Sequence, residues 1–240
     1  MKEDKKIEFT QKWIRDAVKK LFQKEDIYES DMEKIKYLLI GEDFYNGYMI
    51  EMSTATPADP FCDTDGGDEW ELGGDGATVT GRFIQLYIDY VKENPFDYID
   101  SDTGERTFEL SQLHFWDKYK EEYEESETEE DCEDYEDWKD TVKKWKSYEK
   151  TIQCERYFEK FDNDDAYDEW YQQVGQTIQC DIGLFTGLEV LRTQGAEYQD
   201  MTFLRTMPLL RVWEVVETQF HSLEGIDDLV RLKQLCCWMD

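Results

Sequence analysis

Residues 185–206 read FTGLEVLRTQGAEYQDMTFLRT, residues 207–228 read MPLLRVWEVVETQFHSLEGIDD, and residues 229–240 read LVRLKQLCCWMD. Set one above another, they align in columns. Phe185, Met207 and Leu229 share a column, as do Leu188, Leu210 and Leu232. The next two hold Leu191, Trp213 and Leu235, then Thr193, Val215 and Cys237. The second halves align as Ala196 with Thr218, Tyr198 with Phe220, Met201 with Leu223, and Leu204 with Ile226. Spacing of i, i+3 also suits an amphipathic helix. Trp213-x-Val215 and Leu235-x-Cys237 break to period two, however, where a strand belongs. A fixed period of this length marks a stack of short supersecondary units, none of which can bury its apolar side alone.

Working outward, the N-terminal stretch reads as a lid for such a stack. Thr10 is placed to cap a helix whose Trp13, Ile14, Ala17, Val18, Leu21 and Phe22 share one face, and Ser30 with Glu33 forms a capping box. Met32, Ile35, Leu38, Ile40 and Asp43 then fall into the columns of Leu229, Leu232, Leu235, Cys237 and Asp240, which predicts a degenerate first repeat strand over 36–40.

These residues resemble the bacterial internalin-like leucine-rich repeat proteins. The likeness rests on the 22-residue columns, on Leu223-Glu-Gly-Ile226-Asp-Asp-Leu229, and on a helical cap over 7–43 with Phe9, Trp13 to Leu21, Asp26-Ile27 and Asp31-Met32. It covers 7–43 and 185–240. The family's asparagine column is occupied here by Asp43, Ala196, Thr218 and Asp240, so its side-chain ladder to the backbone is altered. The resemblance implies an α/β fold, a short leucine-rich repeat solenoid with a helical N-terminal cap; the inserted α-helical segment between them is not part of the family pattern. The resemblance also implies a protein-binding scaffold rather than a reaction.

The expected division is therefore 1–43 for the cap and first strand, 44–184 for an acidic, mainly helical insertion with strands, and 185–240 for the repeats. Within the insertion, Tyr48, Ile50 and Met52 alternate as a strand does. A loop over 54–81 is punctuated by Pro57, Pro60, Gly66, Gly67, Gly73, Gly74 and Gly76. A helix from about 79 to 94 is closed by Pro95. Leu110, Leu113 and Phe115 suggest a further repeat strand, and Trp138, Val142, Trp145, Tyr148 and Ile152 an amphipathic helix.

The formal net charge is −31, with 58 acidic against 27 basic residues. Such a chain is repelled by phosphate backbones and anionic membrane surfaces, and attracts basic partners. At 15% aromatic residues it is not an acidic disordered chain. There is no run of about eighteen apolar residues to span a membrane, and the charged start carries no secretory signal. Six irregularly spaced cysteines without a C-x-x-C pair are expected as free thiols of a reducing, bacterial cytoplasm.

Chemistry finds few candidates. Only His114 and His221 offer an imidazole, and no nucleophile elbow, P-loop or zincin motif occurs. The expectation is no catalytic residue, no metal and no cofactor. Asp59, Asp63, Asp65, Asp68 and Glu69 cluster among glycines, so a calcium-binding module is one alternative. The EF-hand pattern fails, because counting from Asp63 puts Asp68 at the glycine position and Gly74 at the final glutamate. Asp162-Asn-Asp164-Asp165 fails likewise, with Tyr167 at the glycine position. Cys237 takes an inward apolar column as filler, Cys236 faces outward, and no base can be assigned to either.

Two binding surfaces are expected. Residues flanking the inward columns should line a concave face: Tyr37 and Leu39; Gln112, His114 and Trp116; Val190, Arg192 and Gln194; Val212, Glu214 and Val216; Gln234, Cys236 and Trp238. His114, Trp116, Arg192, Glu214, Val216 and Trp238 are its candidate anchors. The competing expectation is that the inserted helices cover this face. The second surface is the acidic run 119–137, with Glu124, Glu125, Glu129, Glu130 and Asp134 able to dock on a basic partner. The function expected is a non-catalytic scaffold, an inhibitor or immunity-type protein that neutralises a basic protein. An acidic mimic of nucleic acid, occupying a DNA- or RNA-binding protein, is the alternative. Because the last repeat is cut short at Asp240, homodimerisation through an open C-terminal strand edge is also expected.

Overall fold

The computed structural model describes residues 4–43, 47–55, 76–80, 83–99, 104, 106–110 and 177–238. Its backbone is built on the 22-residue offset. Strands β6 (Val190–Gln194), β8 (Val212–Val216) and β10 (Gln234–Trp238) run parallel, each residue pairing with the one 22 positions on. Strand β1 (Tyr37–Asp43) joins the other side of β6, also in parallel, with Leu38 opposite Leu191 and Ile40 opposite Thr193. Leu38, Leu191, Trp213 and Leu235 thus form one inward row, and Ile40, Thr193, Val215 and Cys237 the next. All eight are buried.

Backbone hydrogen bonds repeat with the same offset. The N–H groups of Glu189 and Val190 both donate to the Lys36 carbonyl, those of Arg211 and Val212 to Glu189, and those of Lys233 and Gln234 to Arg211. Below each strand lies a tight turn in which Ile35 N–H donates to Met32, Leu188 to Phe185, Leu210 to Met207 and Leu232 to Leu229. The turns pack closely: a Cβ on Gly187 would sit 2.1 Å from the Glu33 carbonyl oxygen. In the sheet, a Cβ on Gly41 would come within 2.1 Å of the Gln194 oxygen, so β1 requires glycine where it meets β6.

The two edges of this six-stranded sheet come from the stretch 44–184. Strand β2 (Gly47–Ser53) pairs antiparallel with β1, and β3 (Gly76–Thr80) antiparallel with β10, giving the order β2-β1-β6-β8-β10-β3. The expectation of a loop through 81 and a helix from about 79 is corrected here. Residues 76–80 form a strand, and helix α3 runs from Phe83 to Glu93. Val79 and the threonines on either side of it suit a pleated ladder, and pairing with β10 satisfies the backbone groups on that side of the strand. Helix α3 packs against the turn Ile226–Arg231, with Lys92 paired to Asp227 and Tyr87 reaching Cys237. The strand edge on which homodimerisation was expected is therefore occupied by β3, and Leu235 is fully buried.

A second sheet flanks the stack. Hairpin β4 (Phe96–Ile99) and β5 (Arg106–Glu109) pairs through β5 with the two-residue strand β9 (Gln219–Phe220), which runs parallel to β7 (Glu197–Tyr198). This part of the 44–184 stretch thus folds together with the repeats. Between the sheets lies one apolar core, where Trp213 meets Phe203 and Phe220 edge-on, with ring centroids 5.9 Å apart in each pair. Thr193 is the one polar member of the inward rows, and the core provides for its hydroxyl. Trp213 Nε1 donates to Thr193 Oγ1 at 3.2 Å, and Thr218 Oγ1 lies 3.4 Å from it while donating to the Val216 carbonyl at 3.0 Å. Threonine in the altered asparagine column thus serves both backbone and core.

The N-terminal helix α1 (Lys12–Phe22) buries Trp13, Ile14, Ala17 and Val18, while Leu21 and Phe22 pack half-buried at its end. Its cap differs from the expectation. Gln11, not Thr10, is the N-cap and its side chain makes no capping bond; the backbone just ahead of the helix is instead held by a side chain from far along the chain. The buried carboxylate of Asp181 accepts from Thr10 N at 2.8 Å and Gln11 N at 2.6 Å. The capping box expected of Ser30 and Glu33 is also replaced. The short helix α2 (Glu29–Met32) starts at Tyr28, whose N–H donates to Asp31, while Ser30 donates to Asp4 through both its N–H and its hydroxyl.

Candidate functional site

The outward row of the parallel strands is the first candidate. Pleating points Tyr37, Leu39, Val190, Arg192, Val212, Glu214, Val216, Gln234 and Cys236 to the face opposite the core. Tyr37, Leu39 and Val190 form a second buried apolar cluster, with Met49 and Val212 packed against it. Cys236 is buried as well, Glu214 is 6% exposed and Val216 8%. The structure thus corrects the expected open face: Glu214 and Val216 are closed to a partner, and Arg192 is the candidate anchor with substantial exposure, its side chain 32% open.

A sequence signal for this did exist. The strands read YLLIGED, VLRTQ, VWEVV and QLCCW, with apolar residues on both faces, as strands buried on both sides do. Trp238 ends β10, its backbone opposite Val216 and Gly76. Gln112, His114 and Trp116 lie outside the described residues. So do the acidic candidates Glu124, Glu125, Glu129, Glu130 and Asp134, Leu113 and Phe115 of the expected repeat strand, the expected helix from Trp138 to Ile152, and the aspartates of the 59–69 loop.

On the outward face a charged pair is built across neighbouring strands. Arg192 and Glu214 are register partners, and Arg192 Nε lies 2.9 Å from Glu214 Oε2. Just before the strands, Glu189 sits between Lys36 at 3.8 Å and Arg211 at 3.4 Å. Near the second sheet, His221 Nε2 lies 2.7 Å from Glu197 Oε1, which makes His221 a half-buried partner of β7 rather than a surface residue.

Groups with displaced pKa values lie in structural positions. Burial raises Asp181 above the usual carboxylate range, against the pull of the two N–H groups it caps. For Asp31, burial works against the charge, but hydrogen bonds from Lys24 at 2.6 Å, Lys34 at 2.9 Å and the Tyr28 N–H outweigh it and hold the carboxyl below its usual value. Both lysines also lie 5.8 Å from the centre of the Phe22 ring. Burial pushes the Cys237 thiol up to about 12, while the hydrogen bond from Tyr87 at 3.5 Å works in the opposite direction. A thiol held protonated is a poor nucleophile and a poor metal ligand. Cys236 accepts from Gln234 Nε2 at 3.3 Å, and Cys180 is exposed.

A cleft of about 360 Å³ beside α1 has Ile7, Phe9 and Ile27 among its walls. Its cations Lys6, Arg15 and Lys19 are matched by Glu8, Glu25 and Asp26, and Lys6 pairs with Asp26 at 2.5 Å. The cleft thus has no net charge with which to select an ion. Among the described residues no group of three His, Cys, Asp or Glu side chains is arranged to hold a metal, and no helix is long and apolar enough to cross a membrane. Compared with protein-family models, curated proteins and solved structures, the chain matches none.

Proposed function

We propose that this chain is a non-catalytic binding scaffold of the leucine-rich repeat kind that holds a basic protein, as an inhibitor or immunity-type protein does. The observation that carries the reading is the 22-residue register of β6, β8 and β10, extended by β1. Architectures made of stacked units present extended surfaces, and the net charge of −31 sets the sign of the partner. With Glu214 and Val216 buried, the reading moves the contact from the outward strand face toward the acidic exterior. The same charge supports the second reading, a mimic of nucleic acid that occupies a DNA- or RNA-binding protein.

The test is capture of partners on the immobilised full chain from lysate of the source cell at low and high salt, with the bound proteins identified and the affinity of each measured. One basic protein retained at high salt is the expected result. Many basic proteins, all released as salt rises, would reduce the reading to charge alone. A partner displaced by duplex DNA or RNA, and lost when Glu124, Glu125, Glu129, Glu130 and Asp134 are neutralised, would select the mimic instead.

A further inference from the structure

The turns that precede β8 and β10 expose their two central residues. In the turn before β8 these are Pro208 and Leu209, and in the turn before β10 they are Val230 and Arg231. The turns belong to consecutive copies whose strands are hydrogen-bonded 22 residues apart, so the tips lie side by side. Leu209 is 50% exposed and Val230 53%, and with Ile99 on β4 they are the large apolar side chains left exposed among the described residues.

The charge beside them runs against that of the whole chain. Arg211 and Lys233 follow the two turns at equivalent positions, and Arg231 stands on the second tip. Arg231 donates to the carbonyls of Leu204 and Asp228, and among the described residues no carboxylate pairs with it. Of the nearby acids, Asp228 pairs with Arg205 and Asp227 with Lys92, while Glu189 is shared between Lys36 and Arg211 and offsets part of the Arg211 charge. Lys233 has no ion pair among the described residues.

We propose that these two turn tips and the cations beside them form a docking surface for an acidic peptide segment bearing an aliphatic side chain. The aliphatic group covers Leu209 and Val230, and carboxylates on either side meet Arg211, Arg231 and Lys233. At physiological ionic strength charges are felt over about 8 Å, so this local sign prevails over the distant negative surface. The surface is separate from any contact with a basic partner and does not depend on that reading.

The test measures fluorescence polarisation of a labelled peptide alternating Glu and Leu, titrated with the full chain. Saturable binding is expected, weakened about tenfold or more by Val230→Asp and by Lys233→Glu, since each places a carboxylate against the peptide's own. Both positions face solvent, so the fold tolerates the changes, and a thermal melt of each variant verifies this. Lys5→Glu, on the N-terminal segment, leaves binding unchanged. Absence of saturable binding, equal binding by both variants, or equal binding of a Lys-Leu peptide overturns the proposal. So does a protein mass that doubles with concentration and returns to that of the single chain in Val230→Asp, since the surface then serves a second copy.

Discussion

Arg192 and Glu214 stand opposite each other on adjacent parallel strands, and their side chains meet at 2.9 Å on the face that carries the buried Tyr37, Leu39 and Val190. A carboxylate closed off from water needs that guanidinium, whereas the partly exposed guanidinium can turn to solvent. Removing the two groups therefore has unequal effects. Arg192→Ala, which removes the cation beside the buried carboxylate, is expected to cost about 3 kcal/mol. Glu214→Gln keeps a hydrogen-bond acceptor and costs about 1 kcal/mol. Urea unfolding of both variants and of the double variant checks the order. Equal losses would mean that Glu214 is solvated after all.

Asp181, in the helical stretch 177–182 that leads into the repeats, ties down the entry to the first helix through two N–H groups about 170 residues away. Leaving a buried backbone donor without its acceptor costs about 1–3 kcal/mol, and this carboxylate serves two. Asp181→Ala is expected at the upper end of that range, with Asp181→Asn recovering part of the loss. Hydrogen exchange locates the effect: amides of the first turn of α1 should lose protection before those of β8.

The pH dependence of stability has two opposed carboxylates in it. Asp31 is lowered in the folded chain, so its contribution is present above the unfolded value of 3.8 and disappears as pH falls through the lower folded value. Asp181 is raised, so the folded state takes up its proton first, and this group alone makes the fold gain stability on acidification. Asp31→Asn is therefore expected to destabilise by about 1–3 kcal/mol at neutral pH. The gap to the parent chain should narrow as pH falls below 3.8 and level off under the lower folded value, where both chains carry an uncharged group. Denaturant melts of the pair at a series of pH values measure this, and a constant gap would rule it out.

Thr193 is in the core for its hydroxyl. Thr193→Val removes the acceptor of Trp213 Nε1 and is expected to cost about 1–3 kcal/mol, because the buried N–H then has no protein partner at that position. Trp213→Phe leaves a cavity and costs about 2 kcal/mol or more. The double variant should be less destabilised than the sum, since it never creates the stranded N–H. Additivity in the thermodynamic cycle would show that the hydrogen bond contributes nothing.

Much of the strand pairing was legible because it depends on a period. The alignment of Leu38 with Leu191, Trp213 and Leu235 follows from counting, and the ladder obeys the count. What escaped depends on geometry that leaves little trace in the chain. Strand β3 is five residues after a glycine-rich stretch, and only its pairing with β10 makes it a strand. Asp181 gives no local sign of capping a helix that starts at residue 12. Alternation told which side of each strand faces outward, but not that the outward side is covered. The apolar pairs Leu38-Leu39, Val190-Leu191 and Val215-Val216 carried that information.

The order of strands in the large sheet has a consequence for how the chain is made. Strands β1 and β3 leave the ribosome early, yet they stand apart, and the gap between them is filled by β6, β8 and β10, which emerge last. Until residues 190–238 are released, β1 has only β2 beside it and β3 lacks its partner β10. Contacts of such long sequence separation form slowly, after most of the entropy of closing the chain has been spent. The nascent sheet must therefore wait, half-built, for the repeat segment, and during that wait the chain's high negative charge keeps neighbouring unfinished chains apart.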